Sequence, residues 1–253
     1  MRLNVFFTPS AIIAEESATT HIYIVIDVIR ATTTLAVMFE QGAARVIVAE
    51  SLAQAQTAAQ RLPGWLLCGE RNVKPLPGFD YGNSPVQFSQ LDLIGRDLIL
   101  TTTNGTRAFY ACPEHSIRLA GSFYNVRAVA AKALALARQH NSNISLVCSG
   151  EYGYFALDDA ICAAYLALEL QRQYEEQART APLLIDESVH AAIALYSAYP
   201  VAKLIEHSQS AQSVILAGLP EDVAFCMEKN RGTSVPTVIG KEMETGLLFL
   251  KSS

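Results

Sequence analysis

The chain has 253 residues, 51% of them apolar, and a formal net charge of -5. That length and apolar content suit one large buried core and exclude a disordered chain, while the acidic balance excludes the broad basic footprint of a nucleic-acid binder. A local positive pocket for a small ligand is still allowed.

The N-terminal stretch MRLNVFFTPSAIIAEES carries Glu15 and Glu16 and no clear cleavage pattern, so it reads as mature protein. HIYIVIDVIR is interrupted by Asp27 and Arg30, and no run approaches the roughly 20 apolar residues of a membrane helix, so no membrane partner is expected. From there short β-branched runs alternate with alanine-rich amphipathic ones. IYIVI predicts a strand and 32–41 a helix; RVIVAE a strand and 52–62 a helix; WLLC and DLILT are strands before a helix over 106–112. IRLA, a helix over 126–139, ISLVC and a helix over 159–177 complete the alternation. Beyond residue 178 the pattern turns helical, in ESVHAAIALYSAYP, VAKLIEHSQSAQSVILAG and PEDVAFCMEKN, before a final strand pair, PTVIG and GLLFL. An α/β domain whose strands are buried on both faces is predicted over 1–253, alone or with a helical subdomain at 178–253 closing on the core.

Five cysteines, Cys68, Cys112, Cys148, Cys162 and Cys226, are widely spaced without a C-x-x-C, which suggests neither disulfides nor zinc and points to a reducing, cytoplasmic setting. Ionisable residues avoid the strand interiors and gather after them, in DVIRATTT, GERN, TTTNGT, GSFYN and SGEYGYFALDD. Because ligands of open α/β sheets bind outside the carboxyl ends of strands, these segments are predicted to share a crevice.

Asp27 follows five apolar residues, where a buried carboxylate needs a partner, and Arg30 is the nearest candidate. Glu70 is a candidate metal ligand or general base, and Arg71 a fork-shaped anion clamp. Asn83 and Ser84 stand in a Pro- and Gly-rich loop of the kind that carries binding residues. TTTNGT reads either as a tight turn or as an anion cradle at a helix start, with Thr103, Asn104, Gly105 and Thr106 as its members. Asp158 and Asp159 open a helix, as ordinary N-terminal charges or as a Mg2+ pair. No G-x-x-x-x-G-K-[ST] occurs, CPEHSIR lacks the glycine of a cysteine phosphatase loop, and the five histidines show no ligand spacing.

VIDVIRATTT, GERN, PGFDYGNSP, LTTTNGTRA, GSFYN and FALDDAICA, in this order, resemble the 2-phosphosulfolactate phosphatase family over nearly the whole chain. The resemblance implies a three-layer α/β/α fold with a mixed, largely parallel sheet. It also implies a Mg2+-dependent phosphatase that converts 2-phosphosulfolactate to sulfolactate and phosphate in coenzyme M synthesis. The family's polar positions fall on Asp27, Arg30, Glu70, Arg71, Asn83, Ser84, Asn104, Gly105, Asp158 and Asp159, and GSFYN adds Asn125 as a binding residue. The chain departs from the family pattern in Asp158-Asp159 for Glu-Asp, Val73 for a glycine, and SQSA from Ser208 for Ser-x-His-Gly.

On these grounds Asp27, with Asp158 or Asp159, is expected to anchor Mg2+, and Glu70 to take the proton of the attacking water. A covalent route through Asp27 stands beside this one. Arg30 and Arg71 would divide the anionic load, and the TTTNGT hydroxyls and amides would hold phosphate or sulfonate oxygens. The expected partner is a small anionic phosphoester; monomer and homo-oligomer are both open. The alternatives are a phosphatase of another small phosphorylated carboxylic acid and a non-catalytic binder of such a ligand.

Overall fold

An apolar side chain at every position of IYIVI means that neither face of its strand can be left to water. The computed structural model describes residues 1–12, 21–177 and 182–252. Its strands are β1 (Arg2–Phe6), β2 (Ile22–Ile26), β3 (Arg45–Ala49), β4 (Leu66–Arg71), β5 (Lys74–Pro75) and β6 (Asp97–Thr101). They continue as β7 (Ile117–Gly121), β8 (Ile144–Cys148), β9 (Leu184–Ile185), β10 (Pro236–Lys241) and β11 (Leu248–Ser252). The helices are α1 (Ala31–Glu40), α2 (Leu52–Arg61), α3 (Pro85–Phe88), α4 (Gly105–Ala111) and α5 (Val126–Gln139). After them come α6 (Leu157–Glu176), α7 (Glu187–Ala198), α8 (Val201–His207), α9 (Gln209–Leu216) and α10 (Pro220–Cys226).

The eleven strands form one mixed, mostly parallel sheet in the order β5-β4-β6-β3-β11-β10-β7-β2-β8-β1-β9. One parallel block is β4-β6-β3 and the other β7-β2-β8-β1-β9. The antiparallel hairpin β10–β11 sits between them, pairing with β7 on one side and β3 on the other. β2 shows why helices are needed on both faces. Ile22, Ile24 and Ile26 pack with Val129 and Ala133 of α5 and Ile161 of α6, whereas Tyr23 and Val25 pack with Leu35 and Met38 of α1 and Phe109 of α4. All five β2 side chains are buried.

The predicted strands and helices of the α/β core are present, with shifts of one to three residues at their ends; the largest carries β4 past WLLC through Glu70 to Arg71. Three strands had no prediction: β1, whose apolar pattern is broken by Arg2 and Asn4, and the two-residue β5 and β9. VAKLIEHSQSAQSVILAG is two helices, not one. Ser208 separates them because its Oγ accepts the Ala211 N–H at 3.1 Å and caps α9, an alternative to continued helix. Glu15 and Glu16, on which the N-terminal expectation leaned, lie outside the described residues, as do the first four positions of 178–253. Among the described residues no helix is long and apolar enough to cross a membrane.

Candidate active site

The segments that follow β2, β4, β6 and β8 meet around a cleft of about 310 Å³. Asp27 and Arg30 come from the end of β2, Glu70 from β4, Asn104 from the loop after β6 and Glu151 from the loop after β8; Ser210 of α9 closes the far wall. Asn83 and Thr103 also line it. The volume suits a small ligand.

Asp27 is 8% exposed, and its Oδ1 accepts the Ala31 N–H at 3.2 Å in the first turn of α1. Burial pushes its carboxyl up to about 7; the Ala31 N–H opposes this, and the charges of Glu151, Asp158 and Glu70 add to it. Arg30 does not relieve Asp27, contrary to the expectation from their spacing. The chain turns into α1 between them, and the Arg30 guanidinium runs to α10, where Nη1 donates to Asp222 Oδ2 at 2.7 Å with side-chain exposures of 3% and 1%. Nη2 donates to the Val73 carbonyl at 2.9 Å.

Glu70 is held by three donors: Val73 N–H to Oε2 at 2.9 Å, and Thr103 N–H and Oγ1 to Oε1 at 2.8 and 3.0 Å. It thereby ties the β4–β5 turn to the loop after β6. Arg71, next along the strand, takes the other side, as adjacent strand residues must. Its Nη1 donates to the Glu70 carbonyl at 2.6 Å and its Nη2 to Thr101 Oγ1 at 3.0 Å, and it does not line the cleft.

TTTNGT is an interlocked turn. Thr102 N–H donates to Thr106 Oγ1 and Thr106 N–H to Thr102 Oγ1, at 3.3 and 3.2 Å, so these two hydroxyls serve the loop itself. Asn104 bridges to the loop after β8, with Nδ2 donating to Glu151 Oε2 at 3.1 Å and Oδ1 accepting Tyr152 N–H at 3.0 Å. Gly105 stands behind the cleft, where a Cβ would lie 2.5 Å from Asp27 Oδ2. Its lack of a side chain is what lets that carboxylate sit there.

Asp158 and Asp159 are also behind the cleft wall. Asp159 accepts Val28 N–H at 2.9 Å and Gly150 N–H at 3.0 Å, joining the ends of β2 and β8. Asp158 accepts Ser208 Oγ at 3.0 Å, and burial pushes its carboxyl up to about 6. Burial also raises Asp159, reinforced by Asp158 and Asp27. Asn125 faces inward and away: its Oδ1 accepts Ser122 N–H and its Nδ2 donates to the Ala120 and Ser234 carbonyls. Ser84 caps α3 and donates to Asp222 Oδ1 at 2.6 Å. Asn83, 4% exposed, presents a buried Oδ1 with no hydrogen-bond partner among the described residues.

Glu151, Tyr152, Ser210 and Asp222 had no individual prediction. Glu151 was signalled only by its place in SGEYGYFALDD after a strand; its carboxyl is raised first by burial, and Oε2 accepts from Asn104 and from Ser210 Oγ at 3.2 Å. Among the described residues no three His, Cys, Asp or Glu side chains form a compact metal cluster.

Val73 holds φ at +71°, a conformation rare for a β-branched residue. Glu70 grips its N–H and Arg30 its carbonyl, so the turn is held from both ends. Relief of that strain offsets the lost side-chain contacts and the added chain entropy of glycine. Val73→Gly is therefore expected to stay within about 0.5 kcal/mol of wild type in urea unfolding, whereas relaxed positions lose well over that. A loss above about 1.5 kcal/mol would count against strain at this turn.

A sequence model of the family described as 2-phosphosulpholactate phosphatase matches residues 6–241. A probable 2-phosphosulfolactate phosphatase of Thermotoga petrophila is 33% identical over 228 residues, covering 90% of this chain and 91% of the relative. The protein of that name in Carboxydothermus hydrogenoformans is 30% identical over 100% of this chain and 98% of its own. The one in Thermus thermophilus is 32% identical, with 100% of both chains covered. With a family model matched over residues 6–241 and relatives about 30% identical along 90% or more of its length, the chain belongs to the 2-phosphosulpholactate phosphatase family.

Proposed function

We propose that this cleft hydrolyses the phosphate monoester of 2-phosphosulfolactate to sulfolactate and phosphate, with Mg2+ as cofactor. Family membership supports the ester, and the charge balance of the cleft carries the cofactor. Asp27, Glu70 and Glu151 line it against one basic side chain, Arg30, whose charge Asp222 already matches. A phosphate dianion entering such a cleft meets net repulsion unless a cation enters too.

The donors are carboxylate, amide and hydroxyl oxygens without cysteine or histidine, a set that fits Mg2+ or Mn2+ and not zinc. Mg2+ takes one or two protein carboxylates and keeps several waters, so a compact three-carboxylate cluster is not required. Asp27 and Glu151 would hold it, with Asp158 and Asp159 bracing the wall behind. When bound, such an ion supplies positive charge to the phosphoryl oxygens and lowers the pKa of a coordinated water.

Arg30 contributes the N–H donors that Asp222 and Val73 leave over, aimed at phosphoryl oxygens. Glu70, locked by Thr103 and Val73, is the acceptor for the proton of the attacking water. Asn83 offers its unpartnered Oδ1 as an acceptor to a water in the cleft. We place the reaction in the cytoplasm and in coenzyme M synthesis on the strength of the family resemblance and of five widely spaced cysteines that pair in no disulfide.

Purified protein is expected to release phosphate from 2-phosphosulfolactate with Mg2+, to retain less than about 1% of that rate after exhaustive chelation, and to recover with Mg2+ or Mn2+. Full turnover in chelated protein overturns the cofactor. Equal kcat/KM on 2-phospholactate, which lacks the sulfonate, moves the assignment to a broader phosphatase of phosphorylated carboxylic acids.

A further inference from the structure

We infer that Asp222, on α10, is a positioning residue of this cleft, fixing the Arg30 guanidinium and the Asn83–Ser84 turn in one arrangement against the ester. The inference rests on the reading of the cleft as a phosphoester site. Asp222 is 1% exposed and 192 residues away from Arg30 in sequence. Its two oxygens serve two different parts of the wall: Oδ2 accepts Arg30 Nη1 at 2.7 Å, and Oδ1 accepts Ser84 Oγ at 2.6 Å and, more weakly, Val86 N–H at 3.4 Å.

On the first branch, guanidinium carries five N–H donors in a rigid plane. Asp222 takes one and the Val73 carbonyl another, so the plane is held from two sides and the other donors are left for the cleft that Arg30 lines. On the second branch, Ser84 caps α3 through Gln87 N–H at 3.1 Å. That fixes the turn that carries Asn83, a lining residue of the same cleft whose buried Oδ1 has no partner among the described residues. One carboxylate thus sets the relative placement of the cation for phosphoryl oxygens and a polar group with a vacant hydrogen bond.

Anchoring of α10 does not explain the charge. Val223 and Cys226 bury that helix already, and a buried ion pair is on average no better for stability than apolar side chains of the same volume. What the pair supplies is orientation of a fork.

A double-mutant cycle with Arg30 tests this, since a residue that acts through Arg30 loses its effect when Arg30 is gone. Asp222→Asn is expected to lower kcat/KM by about 30-fold or more in wild type and by less than about 3-fold in an Arg30→Gln background. Asp222→Glu keeps the charge but displaces it, and is expected to cost about 10-fold or more; it also serves if Asp222→Asn does not fold. Folded Asp222→Asn with near-wild-type kcat/KM, equal factors in both backgrounds, or full activity of Asp222→Glu overturns the inference. Failure of wild type on every phosphoester instead removes the reaction. The cycle is then read from orthophosphate affinity by calorimetry with Mg2+ present, where non-additivity sustains Asp222 and additivity removes it.

Discussion

Asp27→Asn should lower turnover by about a hundredfold or more while making the cation-free protein more stable. The two effects have one origin. Asparagine keeps the shape and can still accept the Ala31 N–H, but it removes a buried charge that no basic side chain among the described residues matches. Burial raises the Asp27 carboxyl from 3.8 to about 7, so the native state holds that proton more tightly than the unfolded chain does. This contribution to stability is fully present below 3.8 and is lost as pH rises through about 7. Asp158, raised to about 6, adds a loss of the same sign over a lower window. At pH 8 Asp27→Asn should therefore gain ~2–4 kcal/mol over cation-free wild type, shrinking towards zero at pH 4. Mg2+ should raise the Tm of wild type and leave the variant nearly unmoved. Phosphate-release kinetics and thermal scans at pH 4 and 8 check these outcomes. Folded Asp27→Asn with near-normal kcat would falsify the role assigned to its charge.

Gly105→Ala should be nearly as damaging, although alanine favours helices by about 1 kcal/mol over glycine. The new methyl would lie 2.5 Å from Asp27 Oδ2 and 2.6 Å from Ala31 Cβ. Either the carboxylate or the start of α1 must move. Overpacking of this kind costs about 1–3 kcal/mol, and a shift of several tenths of an ångström at Asp27 should cost about 30- to 100-fold in kcat. The loss should fall on turnover more than on stability, because α4 itself remains a good helix. A variant with wild-type kcat and a raised Tm would show that Gly105 is there for other reasons.

The alternation of apolar runs was enough to read the α/β core, and the placing of charges after those runs located the cleft, because strand ends are where a sheet leaves polar groups uncovered. The separation of Glu70 from Arg71 was not legible, because the strand was read as ending with WLLC; β4 runs on to Arg71, and neighbours within a strand face opposite ways. Two more things were hidden. The partner of Arg30 lies in a short C-terminal helix where Asp222 resembles an ordinary first-turn acid. The threonines of TTTNGT have hydroxyls suited to a ligand, and only the folded loop shows two of them closed on each other's backbone.

The position of β10 and β11 determines when such a protein can come into being on the ribosome. They follow the other nine described strands in sequence, yet they occupy the middle of the sheet, between β3 and β7. A nascent chain that has emerged only as far as α10 holds two parallel half-sheets, each with an open inner edge and nothing yet to pair with it. Those edges are templates for the wrong partner, in the same chain or in another. The late hairpin therefore acts as a keystone, and loss of these final strands during synthesis should yield aggregation rather than a weakened enzyme.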